Sequence, residues 1–559
     1  MTASLVGARP QPQTLAAAMD GGAAVAGSGG GGIAESGGGG DAGHDREEAQ
    51  METAVEVQAI NSGAQHGQED HVSEGAQNMG RELPLDKLPE DIFDHLYSFM
   101  PLQDAARAAC VSRGFLRSWR RYPRLIFDNQ TLGLTKLKLR LDKEALALEE
   151  TQSRADKIEN HFVSTIDRVL KNHSGFEVKV LILQLFPCPN IDASYLDKWL
   201  KIAVKPGIRE LALELSYKAE YNFPTSLLSD EIGGATVQSL RLSSCAFRPT
   251  ETLGCNKSLT SLSLYMVRIT GEELGQFVSN CHALMRLSIL NCNDIICFKA
   301  PCPLQQLDHL RVTNCEMLQV IEISAPKLSS FVYGENLIRI SLGAEVKDIS
   351  MLGCRQPNMI CRSRTELPAF MPAVERLTIV SEGEMVKTPV MPSKFLHLKY
   401  LDIFILESLF RYDYLSLVSF LDASPTLETF ILRVERCDEL CPDSILGDVD
   451  KDQLHLRQIT DCRHDKLKNV TITGFGSSKS MIELTSHIVQ TASTLMCMTL
   501  DTARGCGRRN GKTDRCSRMS KDSLMEAQKA LEAVRRWIEG NVPSSANFKV
   551  LAPCCKCGW

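Results

Sequence analysis

The chain of 559 residues has no apolar run near the roughly 18–20 residues that span a bilayer, so no membrane role is expected. Its start, MTASLVGARPQPQTLAAAMDGG, lacks a charged segment followed by a clean apolar one, which argues against secretion. That start is also acid-poor but carries only Arg9, thin support for a plastid address. The expected compartment is therefore nucleus and/or cytoplasm. There is no excess of positive charge: the net charge is −6, so no global basic field points to nucleic acid or an anionic surface. Catalytic signatures are missing too. The chain has no H-E-x-x-H, no G-x-S-x-G, no complete dinucleotide fingerprint and no cysteine nucleophile in a local signature. The expectation is a binding protein rather than an enzyme, with no cofactor and no metal.

Two segments come close to known motifs. TLDTARGCGRRNGKT (499–513) ends in Gly-Lys-Thr after a strand-like run. A phosphate loop needs a glycine five residues before Gly511, and that position is Cys506. The basic residues around it, from Arg504 to Lys521, read as a solvated loop. Cys437 and Cys441 with Cys462 and His464, or Cys554, Cys555 and Cys557 with a distant partner, offer zinc-ligand types, but neither set has a paired C-x2-C framework. The 20 cysteines, scattered from Cys110 to Cys557 without a signal peptide, read as reduced and mostly buried thiols.

What is present divides the chain into five parts. Residues 1–82 contain GGAAVAGSGGGGIAESGGGGDAG followed by a Glu/Gln/His-rich stretch, which cannot bury enough apolar surface to offset its ordering entropy, so disorder is expected. At residue 83 the composition changes. In LPLDKLPEDIFDHLYSF, Pro89 suits a first helical turn, and Leu88, Ile92, Leu96 and Phe99 recur on one helix face. Pro101 breaks that helix, LQDAARAA forms a second, and Ser112 can cap a third, RGFLRSWRRY, which presents Phe115, Leu116 and Trp119. Three short helices over 83–127 make a module whose own core is marginal. Residues 128–176 read as a helical linker with an Ile158, Phe162, Ile166, Val169 stripe.

From residue 177 to 435 one pattern recurs. VQSLRLSSC (237–245), LTSLSLYMV (259–267), LMRLSILNC (284–292) and LDHLRVTNC (307–315) share L-x-x-L-x-L, with anchors Leu240, Leu262, Leu287 and Leu310 spaced by 22, 25 and 23. Eleven such segments occur between residues 178 and 502. The period is that of leucine-rich repeats, in which each repeat supplies one short strand and only stacking completes the core. Cys245, Cys292 and Cys315 fall at the position inside the repeat's turn, so they are expected to be structural. Residues 436–559 form an irregular end containing one amphipathic helix, SKDSLMEAQKALEAVRRWIEGNVP, read as a cap with Leu524, Ala527, Leu531, Val534 and Ile538 inward.

The stretch LPEDIFDHLYSFMPLQDAARAACVSRGFLRSWRRYPRL resembles an F-box in the order and spacing of its Leu-Pro start, its M-P-L-x-D-A-A-R-A break and its V-S-R-x-F with a following Trp. Together with the repeats and an end resembling the FBD-type region, the whole is similar to plant F-box/leucine-rich-repeat proteins. The fold class expected is α/β: a three-helix F-box module, a leucine-rich-repeat solenoid with a C-terminal helical cap, and a disordered N-terminal tail. The resemblance implies a substrate-recognition adaptor of an SCF-type ubiquitin ligase, with a Skp-family subunit and cullin scaffold as partners and an unknown protein as substrate. It implies docking residues at Leu88, Pro89, Ile92, Leu96, Leu102, Ala105, Ala106, Val111, Ser112, Phe115 and Trp119. Two alternatives stay open: an interaction protein acting outside a ligase, and a small-molecule receptor within one. Gly114 stands where a bulkier residue is usual and is expected to loosen the third helix by roughly 0.5–1 kcal/mol.

Overall fold

Parallel strands a few residues long, each carrying two inward aliphatic side chains, dominate the chain. In the computed structural model these strands stack in register. The structure describes most of residues 89–554; residues 1–88, 134–150, 174–177, 230–235, 250–256, 437–442, 447–454, 503–518 and 555–559, with a few shorter stretches, lie outside what it describes. The expected tail, Leu88, Ser112, Cys437, Cys441 and the Gly-Lys-Thr loop thus lie outside the described residues.

Among the described residues, fifteen strands form one parallel sheet whose spatial order is the chain order, from Arg124–Phe127 to Asn547–Leu551. The register is uniform: Leu240 pairs with Leu262, Leu262 with Leu287, Leu287 with Leu310, and Leu310 with Phe331. Two residues on, Leu242, Leu264, Ile289, Val312 and Tyr333 form a second ladder. Both rows are buried, because alternate strand residues share one face and the return segments cover it. Return segments are short strands in the middle repeats (Cys297–Lys299, Val320–Glu322, Arg339–Ser341) and helices elsewhere, such as Gly271–Ser279, Met359–Phe370 and Lys479–Thr491.

The turn after each strand explains the Asn-Cys pairs. Ser244, Met266, Asn291 and Asn314 take left-handed backbone angles, φ between 53° and 58°, a region that asparagine tolerates better than most residues. The next residue then turns inward. Cys245, Cys292 and Cys315 are buried, and the Cys292 and Cys315 thiols donate to strand carbonyls of Leu290 (3.4 Å) and Thr313 (3.6 Å). Burial pushes the Cys245 and Cys292 thiols up to about 12. They are structural.

Four strands carry no L-x-x-L-x-L signature. Arg124–Phe127 starts the sheet, Ser330–Gly334 and Asp348–Gly353 fill its middle, and Asn547–Leu551 ends it. Aromatic, Ile, Val and Met side chains take most of their inward positions, with Leu125 the leucine that remains. The C-terminal helix, Lys521–Trp537, is capped by Ser520, whose hydroxyl accepts from the Ser523 amide at 3.1 Å. It buries Ala527, Ala530, Ala533 and Val534, while Leu524 and Leu531 are only half-buried. The small side chains let the helix lie close to its neighbours. The chain then returns once more as the edge strand Asn547–Leu551, which exposes alternate residues and carries Lys549 in its middle, a composition that discourages further pairing.

The 151–172 helix buries Ile158, Phe162, Ile166 and Leu170. It is tied to the N-terminal module by the His161 ring nitrogen bonding the Leu132 carbonyl (3.1 Å) and by His173 bonding the Tyr122 carbonyl (2.9 Å).

Candidate functional site: the outer face of the N-terminal helices and the open face of the sheet

The first helix of the N-terminal module, Glu90–Phe99, has two apolar stripes. Phe93 and Tyr97 go inward; Ile92, Leu96 and Phe99 stay out, with Ile92 41%, Leu96 39% and Phe99 75% exposed. The aromatic stripe wins the interior because it has more surface to bury and a polar handle to satisfy. The Tyr97 hydroxyl lies 2.9 Å from the Phe115 carbonyl and 3.0 Å from that of Ala105, joining all three helices at one point. Burial holds that phenol well above its ordinary range. Phe93 meets Phe115 edge-on, with centroids 4.8 Å apart, and Trp119 stacks on Tyr122 at 5.8 Å. The Tyr122 hydroxyl donates to the Met100 carbonyl at 2.6 Å, closing the break at Pro101.

This arrangement sorts the residues that the resemblance named. Pro89, Ile92, Leu96 and Val111 are exposed, Val111 at 69%. Leu102, Ala105, Phe115 and Trp119 are buried in the module's own core, and Ala106 is half-buried. Leu88 and Ser112 lie outside the described residues. The expectation that the third helix presents Phe115 and Trp119 outward is corrected: in Arg113–Trp119 those two face in, and Leu116 faces out. Gly114 is also corrected. A Cβ there would stand 2.7 Å from Cζ of Phe93, so the glycine makes room for that ring and tightens the helix pair. Phe99 and Leu116 add apolar surface outside the named set; periodicity placed Phe99 in the stripe, but no sequence signal separated Leu116 from its buried neighbours.

The second surface is the sheet face opposite the aliphatic ladders. Its rows follow the same register, so Arg286, His309, Ser330, Asp348, Arg376 and Tyr400 stand side by side. Charges here pair across strands. Arg241 reaches Glu214 at 3.3 Å, Arg376 reaches Asp348 at 3.6 Å and lies 4.4 Å from the Tyr400 ring centroid, and Arg433 contacts Asp402. Burial raises the Asp402 and Asp348 carboxyls against the pull of those arginines. His309 is lowered by burial and by Arg311 and Arg286 beside it. Such a face offers rows of polar and charged side chains on a rigid backbone, the kind of surface that contacts another macromolecule. No helix among the described residues is long and apolar enough to cross a membrane.

The F-box domain model matches residues 85–127, and the model of the At1g61320/AtMIF1 LRR domain matches residues 169–555. Among curated relatives, the F-box/FBD/LRR-repeat protein At1g13570 of Arabidopsis thaliana is 24% identical over 205 residues, 37% of this chain and 43% of that protein. The F-box/LRR-repeat protein At3g26922 of the same plant is 25% identical over 250 residues, 44% of this chain and 72% of its own length. The F-box/LRR-repeat protein At3g58900 is 25% identical over 138 residues, 37% of its length. The match therefore spans less than half of At1g13570 and At3g58900.

Proposed function

The chain belongs to the family that shares the At1g61320/AtMIF1 LRR domain, here preceded by an F-box, and from that premise we propose that it is a substrate-recognition adaptor of an SCF-type ubiquitin ligase. The F-box docks on a Skp-family subunit, which connects to the cullin scaffold, and the open face of the repeat sheet holds a protein substrate. One observation carries the docking half. The three helices complete a core of their own through Phe93, Tyr97, Phe115 and Trp119, yet keep Pro89, Ile92, Leu96 and Val111 outside. Exposed aliphatic side chains on a short helix and the turns beside it, held in place from within, suit a partner's groove. Substrate binding rests on the sheet's open face, with its in-register rows of charged and polar residues.

The test is co-expression of the whole chain with a Skp-family subunit and purification through one tag. Stoichiometric co-purification that disappears in the Ile92→Asp, Leu96→Asp double variant, with the melting transition of the chain kept, supports the reading. A folded chain that leaves the subunit behind overturns it and favours an interaction protein working outside a ligase.

A further inference from the structure

Three polar side chains from distant parts of the sequence meet at the C-terminal repeats. Asp422 ends the helix Val418–Ala423, which leads into the strand Thr429–Arg436. His464 lies in the segment leading into Asn469–Thr473, and His487 lies on the helix Lys479–Thr491 leading into Cys497–Asp501. Those three strands are neighbours in the sheet. One ligand-type atom from each residue lies within 4.8 Å of the other two. The Nε2 atoms of both histidines and Oδ1 of Asp422 are buried with no hydrogen-bond partner. His464 Nε2 stands 3.7 Å from Asp422 Oδ1, too far for a hydrogen bond, and the two imidazole rings are 5.7 Å apart and edge-on.

Leaving three buried polar atoms unsatisfied is costly, and it is rare for all three to point at one spot. We propose that Asp422, His464 and His487 bind one divalent transition-metal ion, zinc by their ligand chemistry, which clips three consecutive repeats together. Two imidazole nitrogens and one carboxylate oxygen are a zinc-type donor set, to which water or the second carboxylate oxygen adds a fourth ligand. Tetrahedral bonds of about 2.0–2.1 Å place ligand atoms about 3.3 Å apart, so the widest gap, up to 4.8 Å, has to close by up to about 1.5 Å. A neutral imidazole has one ring nitrogen with a free lone pair, so each histidine has one nitrogen to offer as a ligand.

The surroundings hold the donors in place. The His464 amide donates to the Thr491 carbonyl at 3.0 Å, and the Thr491 hydroxyl donates to the His487 carbonyl at 2.7 Å. Asp465, which also acts on His464, accepts from the Ser493 hydroxyl at 2.6 Å. The nearby cation Arg364, which feels the Asp422 charge, has its guanidinium spent on the Ser419, Ser393 and Met391 carbonyls at 2.8–3.0 Å. The sequence reading set aside a site of Cys437, Cys441, Cys462 and His464 and expected no metal; the set proposed here keeps only His464 of those four, and no motif placed Asp422 or His487 near it.

The test uses the full chain. Purified protein is dialysed against chelator, reloaded with Zn2+, passed over a sizing column and assayed for metal. The expected result is about one tightly held Zn2+ per chain, lost or weakened at least about tenfold in the His464→Asn, His487→Asn double variant. The wild-type chain should also melt lower after chelation and recover with Zn2+ but not Mg2+, a readout that survives even if the variant fails to fold. Loading with Co2+ separates this site from the thiols: visible tetrahedral bands without a sulfur charge-transfer band are expected. Wild-type protein that keeps no more zinc than the variant, a melt indifferent to chelation, or a thiolate band in the Co2+ spectrum overturns the proposal.

Discussion

The F-box module and the repeat sheet bury their apolar residues by different rules. In the sheet, a leucine two residues from another leucine is inside, because pleat alternation leaves it no other choice and the register carries that choice through every strand. In the module, the first helix has two apolar stripes and only one can go in. Phe93 and Tyr97 take the interior, and Ile92, Leu96 and Phe99 are left outside. A period of two decides burial by itself; a period of 3.6 on a short helix offers a face without saying what covers it. That difference separates a region built to be self-sufficient from one with apolar surface to spare.

The comparison is broken most severely inside the sheet. Leu287→Ala should cost about 2–5 kcal/mol in urea unfolding, since its side chain is fully buried between those of Leu262 and Leu310. A near-neutral result would mean that the ladder does not carry the stability. On the module, the contrast inverts. Ile92→Asp with Leu96→Asp should leave the unfolding midpoint within about 0.5 kcal/mol of wild type, while weakening capture of a Skp-family subunit by about 2 kcal/mol or more. A stability loss as large as that of Leu287→Ala would show that these side chains are inside after all.

Gly114→Ala sharpens the inner half of the module. Helix propensity alone makes alanine the better residue by about 1 kcal/mol. The Phe93 ring in its way makes the variant less stable, by about 1–3 kcal/mol, in thermal or urea melts. A stabilised variant would mean that the ring moves freely. The smallest effect is the pH dependence at His173, which joins the 151–172 helix to the end of the module. Burial lowers its pKa below the ordinary value of 6.5. Above about pH 6.5 both folded and unfolded chains hold it neutral, so its contribution is complete there. As the pH falls below 6.5, the unfolded chain takes up a proton that the folded chain resists, and stability drops until the lowered folded pKa is reached. Melts from pH 7.5 to 5.5 should show a shallower slope for His173→Asn than for wild type; equal slopes would remove His173 from the account.

Much of this was legible beforehand, for reasons that can be named. The repeat period, the Asn-Cys turns and the helix after Ser520 follow from local pattern. The strands Ser330–Gly334 and Asp348–Gly353 were not legible, because Phe, Tyr, Ile and Met fill their inward positions and only in-register neighbours identify them. The docking set proposed here comes as a group from the resemblance to an F-box, and the split between Ile92 or Leu96 outside and Phe115 or Trp119 inside needed the packing.

The sequence by itself determined that this protein is a stack of short parallel strands behind a small helical module, since periodicity is a local property and each repeat repeats it. Only the tertiary structure decided which apolar stripe of the first helix is left over, why Gly114 has no side chain, and that Asp422, His464 and His487 meet. Those outcomes depend on which surfaces compete for one interior and on residues up to 65 positions apart in sequence, and no local pattern encodes such a meeting.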